Sequence, residues 1–392
     1  MAKLIFRPPQ LRIGAGGEEE RHATWMELFY DLLFVAVVAQ LSLQLSRDLS
    51  LFGILRFVLL FIPVWWAWIG QAFYSTRFDT DDLGHRLFII AQMFAVAAMG
   101  VTVHQGFSRG SAGFALSYAA VRFILVGEYI GADIFVPAAR RFIRHLEIGF
   151  GIAATFWLVS AFIPPPYRFI LWGIGLLIDF GTPLTAGTMH SQLAPHAVHL
   201  PERFALFTLI VLGESITGVV SGLSHQHWSL ASAAAAMLGL SLAFSLWWVY
   251  FDNIDAAPIR AARTGGHIWV YQTWLYSHLP LVIGLTATAV GVQFVVISPQ
   301  DLALPPPERW LICGGVALTL FSLGLIHLTT TISRLRSRRL NHAAYHFGTA
   351  CALLLLSALG SFRPLILIAI LALACAAQVV REVVGQLRNG YQ

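Results

Sequence analysis

The sequence has few charged residues, and this scarcity excludes an ordinary water-soluble enzyme. Charged residues make up 11% of the 392 positions, whereas an average soluble domain has about a quarter. Hydrophobic residues make up 57%, and they lie in long apolar runs separated by short polar segments. This pattern is typical of a polytopic membrane protein.

Lysine and cysteine are also scarce. Lys3 is the single lysine among 25 basic residues, and no basic stripe lies outside the apolar runs. The net charge of +5 therefore indicates membrane orientation, and nucleic acid is not an expected partner. Cys313, Cys351 and Cys375 lie in apolar runs without a CxxC pair, which argues against a disulfide scaffold and a cysteine zinc site. No cofactor is expected.

The apolar runs predict about twelve transmembrane helices. Backbone polar groups in hydrocarbon must pair within their own segment, and runs of about 20 residues do this as helices. The predicted fold class is thus an all-α polytopic membrane protein. The predicted spans are 25–45, 52–74, 86–104, 112–131, 146–163, 167–184, 203–223, 229–251, 271–297, 310–332, 343–359 and 364–384.

The basic residues predict the orientation of these spans. With twelve spans, eighteen basic residues fall on the side of the N-terminus and five on the other side. Because cytoplasmic loops carry the excess of arginine and lysine, both termini are expected in the cytoplasm. The first 24 residues contain no apolar core of signal-peptide type, which argues against a cleaved export signal.

Two short patterns recur in the second half of the chain. An ExF pattern begins at Glu27 and again 175 residues later at Glu202, and an FDxxD pattern begins at Phe78 and again 173 residues later at Phe251. These matches predict two six-helix repeats of the same membrane orientation. The predicted segments are an N-terminal tail at 1–24, repeats at 25–184 and 203–384, a connector at 185–202 and a C-terminal tail at 385–392.

Ionisable residues inside the apolar runs are the candidate functional groups, because each is costly in hydrocarbon. Glu27 and Asp31 are four residues apart and face the same side of one helix. Two such carboxylates repel each other and can hold a shared proton or a cation. The alternative for Glu27 is a position in the headgroup layer at a helix N-terminus, where a carboxylate is favourable.

Glu214 and Arg122 lie at matching depths near the bilayer midplane in the predicted topology. An unpaired charge there is expensive, so we expect them to pair, either as a structural bridge or as a coupled gate. Glu128, Asp179 and Glu202 make the cytoplasmic half of the interior acidic. This acidity suits protons or cationic solutes better than anions.

Neither the histidines nor the acidic loop predicts a metal site. His196 and His199 precede the seventh span without a recognised zinc spacing, and His327 and His346 are expected as hydrogen-bonded core residues or as a proton relay. His190 is interpreted like His196 and His199, and His278 like His327 and His346. The loop containing Asp79, Asp81 and Asp82 lacks the glycine and distal glutamate of a calcium loop, so a solvated loop salt-bridged to Arg77 or Arg86 is favoured.

Three segments carry a resemblance to a known family. They are RHATWMELFYDLLFV at 21–35, FDTDD at 78–82 with Arg86 beyond it, and HLPERF at 199–204 running to LGES at 212–215. They resemble the low-temperature-requirement A (LtrA) family of bacterial membrane proteins. The resemblance implies a bacterial inner-membrane protein associated with growth at low temperature, and it implies no reaction. The positions that match the family's motifs are the carboxylates Glu27, Asp31, Glu202 and Glu214, together with His199, Arg203, Asp79, Asp82 and Arg86.

Three function classes remain open from the sequence. The first is a proton-linked or cation-linked secondary transporter of an unknown small solute. The second is a structural or lipid-sensing membrane protein in which polar residues fix helix packing. The third is an intramembrane enzyme using the carboxylates and histidines, although neither GxSxG nor HExxH occurs. The expected partners are membrane lipids and a solute, proton or cation, and the oligomeric state is left open.

Overall fold

The computed structural model describes most of the chain, and its architecture is almost entirely helical. The described residues are 8–11, 22–79, 82–187, 189, 193, 195–224, 229–263, 268–330 and 336–390. Of the residues discussed above, Lys3, Asp81 and His190 lie outside them, as does the side chain of Asp79.

Thirteen α-helices follow one another in the described part of the chain. They are α1 Trp25–Arg47, α2 Leu51–Arg77, α3 Leu83–Val103, α4 Ser111–Phe135, α5 Arg140–Ser160, α6 Tyr167–Thr185, α7 His199–Ser224, α8 Leu230–Phe251, α9 Ala257–Arg263, α10 Ile268–Ile297, α11 Pro306–Thr329, α12 Arg336–Leu359 and α13 Pro364–Gly390. A two-residue antiparallel pair joins β1 Gln10–Leu11 to β2 Phe78–Asp79.

The all-α polytopic membrane fold is confirmed. Each of the twelve predicted spans coincides with one helix, and eleven helices are long and apolar enough to cross a membrane. The one predicted span outside these eleven is the sixth, which coincides with α6, where Arg168 and Asp179 lower the hydropathy. The short helix α9 was not predicted.

Local side-chain signals explain where several helices begin. Thr24 and Glu27 form a reciprocal capping box before α1, with the Thr24 N–H donating to Glu27 Oε2 at 2.7 Å. Asp82 caps α3 by accepting the His85 N–H at 2.7 Å. Such caps satisfy amide donors that have no partner inside the helix.

The chain divides into two compact units, and each draws residues from both predicted repeats. Unit 1 consists of Met1–Leu41, Arg56–Leu206 and Ile259–Tyr271, and unit 2 of Ser42–Leu55, Phe207–Pro258 and Gln272–Gln392. In unit 1, α4 packs against α3 and α5, and α5 packs against α6. In unit 2, α11 packs against α12, and α8 against α13. The six-plus-six duplication stays a prediction.

Small residues let two helices of unit 2 approach closely. A Cβ atom at Gly315 of α11 would lie 2.7 Å from the backbone nitrogen of Thr288, and one at Gly284 of α10 would lie 2.8 Å from that of Thr319. Glycine is therefore required on both sides of this crossing. Close packing through small residues is a common way to associate helices in lipid.

Candidate functional site

Unit 1 contains a buried cluster of four ionisable residues, here named the α1–α7 cluster. Glu27 and Asp31 come from α1, and His199 and Arg203 come from α7. All four side chains are buried, and Asp31, His199 and Arg203 are each 0% exposed. Each helix thus supplies two residues at i and i+4, which share one face of an α-helix.

The two helices place these residues in matching pairs. Arg203 donates to Asp31 through Nη2 to Oδ1 at 2.6 Å and through Nε to Oδ2 at 3.1 Å. His199 Nε2 lies 3.2 Å from Glu27 Oε2. Both pairs join residues that are 172 positions apart, so one register brings both together. Arg203 also reaches Glu27, with Nη1 3.2 Å from Oε1.

Helix α2 completes the cluster with neutral groups. The Trp68 indole N–H donates to Asp31 Oδ1 at 2.8 Å, and Arg203 Nη1 donates to the Ser75 hydroxyl at 3.2 Å. The Trp68 ring also packs edge-on against Phe204, the residue after Arg203. Asp31 therefore accepts three hydrogen bonds. A buried carboxylate satisfied in this way is held in a single orientation.

The hydrogen bonds of Thr76 decide which nitrogen of His199 carries a proton. The Thr76 hydroxyl donates to the Ala72 carbonyl at 2.6 Å, and its oxygen lies 3.1 Å from His199 Nδ1. With its only hydrogen used, Thr76 accepts from His199 Nδ1–H. A second proton is then needed between His199 Nε2 and the Glu27 carboxylate, because two acceptors do not hydrogen-bond.

The charge count of the α1–α7 cluster gives the same result. Two carboxylates and one guanidinium sum to a net charge of −1 when the imidazole is neutral. One added proton on the His199–Glu27 pair brings the buried cluster to zero. Because an uncompensated charge in a low-dielectric interior is costly, the arrangement favours capture of one proton.

A second histidine–carboxylate pair lies in the same unit. His85 Nδ1 is 3.1 Å from Glu128 Oε1, and the Gln71 amide donates to the same oxygen at 3.5 Å. The main-chain carbonyl of Glu128 accepts the Tyr74 hydroxyl at 3.2 Å. Glu128, expected from sequence as part of an acidic interior, is thus buried beside a titratable imidazole.

The expected pairing of Arg122 with Glu214 is wrong, because Arg122 pairs with Asp179. Both side chains are 0% exposed, the guanidinium donates to Asp179 Oδ1, and Tyr118 donates to Oδ2 at 2.7 Å. In the predicted topology, helices α4 and α6 begin on the same side of the membrane. At about 1.5 Å per residue, Arg122 lies about 16 Å from the start of α4 and Asp179 about 18 Å from the start of α6.

Glu214 lies in unit 2 and has a different environment. It is half-buried, about 22 Å along α7 from His199, and the side chain of Ser42 lies beside it. In the described part of the chain it forms no ion pair. Glu214 is therefore a carboxylate within a membrane-spanning helix whose charge must be neutralised by a proton or by a mobile cation.

The other motif residues have positions outside these buried clusters. The Glu202 side chain is 32% exposed and faces the start of α1, where Oε1 lies 3.5 Å from His22 Nδ1 and Oε2 accepts the Ala23 N–H at 3.3 Å. Asp82 is a helix cap, and the backbone of Asp79 pairs with Gln10. Arg86 is exposed on the first turn of α3.

Sequence reasoning named all four members of the α1–α7 cluster and missed how they pair. His199 was considered as a metal ligand and as a family-motif residue, and Arg203 as a family-motif residue. Their i,i+4 spacing repeats that of Glu27 and Asp31, and the charges are complementary. That match was the available signal, since parallel helices with equal spacings can align both pairs at once.

Comparison with known proteins assigns nearly the whole chain to one family. The family model described as bacterial low temperature requirement A protein (LtrA) matches residues 22–377. An uncharacterized protein of Rhizobium meliloti (strain 1021) is 30% identical over 305 residues, which cover 72% of this chain and 72% of that protein. The matched range contains every member of the buried clusters of unit 1. This chain is a multi-pass membrane protein and belongs to the bacterial low temperature requirement A family.

Proposed function

We propose that this protein is a proton-linked secondary transporter and that the α1–α7 cluster is its proton-binding site. The observation that carries the proposal is the sharing of one guanidinium by two buried carboxylates, with a titratable imidazole facing the second carboxylate. Such a cluster is neutral only with one additional proton. Intramembrane ionisable groups that must exchange a proton are typical of proton-coupled transporters.

The two pairs of the cluster have different parts in this mechanism. Asp31 and Arg203 form a doubly hydrogen-bonded pair, and the three hydrogen bonds that Asp31 accepts hold it in one orientation. Glu27 and His199 hold the exchangeable proton. When that proton leaves while Thr76 keeps donating to the Ala72 carbonyl, His199 Nε2 and the Glu27 carboxylate face each other as two acceptors, and their contact becomes unfavourable.

Proton binding would thereby alter the attachment of α1 to α7 at their first turns. Protonation adds one charge-assisted hydrogen bond between these helices, and deprotonation removes it. A ligand-dependent bond between two helices is a means of shifting a conformational equilibrium. The solute is a small molecule whose identity and coupling ratio are open, and a cation in place of the proton is the alternative coupling ion.

The test is proton flux in proteoliposomes loaded with a pH-sensitive dye. Purified full-length protein is reconstituted, a pH gradient is imposed, and a panel of candidate solutes is added. We expect solute-dependent proton movement by the wild-type protein. Glu27→Gln and His199→Gln should abolish it, because each removes one side of the proton-binding pair.

The matched control is His145→Gln. His145 belongs to the same unit, and its Nε2 lies 2.9 Å from the Thr182 carbonyl and 3.1 Å from the Thr185 hydroxyl, without a carboxylate partner among these contacts. Its flux should equal that of the wild type. Proton flux that persists in both Glu27→Gln and His199→Gln would reject the site. Absence of flux for every solute in the wild type would favour a structural or lipid-sensing role.

The proposed setting is the bacterial inner membrane with both termini in the cytoplasm. The family and the eleven apolar helices support a multi-pass protein, and the arginine asymmetry supports the orientation. In that orientation the first turns of α1 and α7 lie at the cytoplasmic end of their helices. The cluster would then exchange its proton with the cytoplasm.

A further inference from the structure

We propose that unit 2 contains a binding site for one divalent transition-metal ion, of the Zn²⁺ class, formed by His327, His346 and Glu382. These residues come from α11, α12 and α13, and each offers a ligand atom within 4.8 Å of the other two. All three are buried, with exposed fractions of 1 to 3%. Nothing in the proton-binding proposal for unit 1 uses these groups.

The chemistry of the three groups selects the type of ion. Two imidazoles and one carboxylate form a known ligand set for zinc, with an open fourth position. Calcium and magnesium require oxygen ligands and would not be held by a site in which imidazole predominates. The proposed ion is therefore a borderline transition metal.

The histidine rings are already arranged for joint coordination. The rings of His327 and His346 stack with their centroids 4.9 Å apart and an angle of 20° between their planes. Ligand atoms around tetrahedral zinc lie about 3.4 Å apart, as follows from bond lengths of about 2.1 Å. Small side-chain rotations would close the remaining gap.

His346 supplies the strongest evidence that a ligand belongs here. The side chain is 1% exposed, and neither ring nitrogen has a hydrogen-bond partner among the described residues. Buried imidazole nitrogens are ordinarily hydrogen-bonded. Metal coordination would satisfy one of them and would explain why a polar ring is kept in this position.

Neighbouring side chains orient the carboxylate. The Asn253 amide donates to Glu382 Oε1 at 3.0 Å, and His342 Nδ1 lies 3.7 Å from the same oxygen. His342 is one turn before His346 on α12, at the i,i+4 position. Groups that hydrogen-bond a ligating carboxylate typically hold it in the coordinating geometry.

Arg381 is the nearby charged residue that must be accommodated. Its guanidinium carbon lies 3.1 Å from the centre of the Tyr345 ring, so the cation is stacked on that aromatic face. Tyr345 and Arg381 each precede a proposed ligand by one residue, which places them about 100° away around their helices. The proposed ion therefore lies on a different side of α12 and α13 from this stacked pair.

The test measures metal content of the full-length protein purified in detergent through a tag without histidine. After chelator treatment and reloading with Zn²⁺, elemental analysis should give one equivalent per chain. Titration with Co²⁺ should give the visible absorption of a low-coordinate imidazole site. The Co²⁺ spectrum is measured on the unaltered protein, so it does not depend on whether a variant folds.

Variants then locate the site. His346→Asn and Glu382→Gln should lower Zn²⁺ affinity at least about 100-fold, and Asn253→Ala should lower it about 10- to 100-fold through loss of orientation. The matched control is His278→Asn, a buried histidine of the same unit whose Nδ1 lies 2.8 Å from the Trp274 carbonyl. It should bind as the wild type does.

Two results would overturn the proposal. One is wild-type protein that retains no Zn²⁺ above background and shows no imidazole-type Co²⁺ spectrum. The other is stoichiometric binding that survives His346→Asn and Glu382→Gln in protein that elutes as a single folded species. Either result would mean that His327 and His346 are core histidines without a metal-binding role.

Discussion

Two carboxylate-to-amide substitutions in unit 1 should have different effects on stability. Asp179→Asn removes the anionic partner of Arg122, whose side chain is 0% exposed. Breaking a buried ion pair by removing one partner costs about 3 to 5 kcal/mol, because the other charge is left buried without compensation. Tyr118 keeps a hydrogen-bond acceptor in the new amide, but the charge of Arg122 is no longer balanced.

Glu27→Gln removes a carboxylate from a cluster with one negative charge in excess. Arg203 keeps its doubly hydrogen-bonded partner Asp31, and His199 returns to the neutral form. Glutamine at this position can still accept the Thr24 N–H, as it does in many capping boxes. The substitution removes the charge-assisted bond to His199 and the 3.2 Å ionic contact with Arg203 Nη1, and we expect the free energy of unfolding to fall by about 1.5 to 3 kcal/mol, less than for Asp179→Asn.

The assay is reversible unfolding in mixed micelles in which the fraction of a denaturing detergent is increased. Unfolding is followed by tryptophan fluorescence. The double variant Arg122→Met with Asp179→Asn serves as the control, because it removes both charges and should recover part of the loss. Equal destabilisation by Asp179→Asn and Glu27→Gln would refute the charge count of the α1–α7 cluster. A double variant that is no more stable than Asp179→Asn would refute the ion-pair argument.

Three further outcomes follow from particular positions. Glu214→Gln should leave the free energy of unfolding within about 1 kcal/mol of the wild type, because no described cation loses a partner. A larger loss in the same unfolding assay would reveal an ionic partner of Glu214. Gly70→Ala should destabilise by about 1 to 3 kcal/mol, since its Cβ atom would lie 2.7 Å from Arg122 Nη1, whereas Gly131→Ala, with no atom within 4 Å, should not. Ser337→Cys, in a variant without the native cysteines, should react with an impermeant thiol reagent only from the cytoplasmic side, and labelling from outside would reject the proposed orientation.

The fold could be predicted from the sequence because hydrocarbon imposes a length on each span. All twelve predicted spans match helices, and their ends differ from the observed ends by up to seven residues. The largest differences are at the starts of α5 and α12 and at the end of α13, where arginines interrupt the apolar run. Hydropathy finds where a helix lies in lipid, but a helix extends beyond lipid where caps and packing stabilise it.

The ionic partners could not be predicted as well, because depth alone does not specify which helices are neighbours. Arg122 and Glu214 lie in different helices at similar expected depth, and Asp179 was assigned only to the acidic cytoplasmic half of the interior. The contact of α4 and α6 side chains that brings Arg122 to Asp179 depends on packing around α5, which contacts both helices. No pattern within a single helix contains that information.

The structure also explains why the two interpretations of Glu27 are compatible. Glu27 caps the first turn of α1, as the helix-terminus interpretation requires, and the same Oε2 atom lies 3.2 Å from the His199 imidazole. One carboxylate oxygen therefore receives both a backbone N–H and the proton-bearing ring. Loss of the proton leaves the capping bond in place, so α1 keeps its first turn.

In the proposed proton-linked mechanism, one pair of the α1–α7 cluster stays formed while the other pair changes. The Asp31–Arg203 pair lies one turn deeper and is joined by two hydrogen bonds, so it keeps the two helices in register. The Glu27–His199 pair lies nearer the helix ends, where a proton can enter, and its strength depends on that proton. Because both pairs share one register, a change at the outer pair can tilt the first turns without a slip of the inner pair. In the proposed transporter, the inner pair would persist through the cycle, and the outer contact would be made and broken once in each cycle.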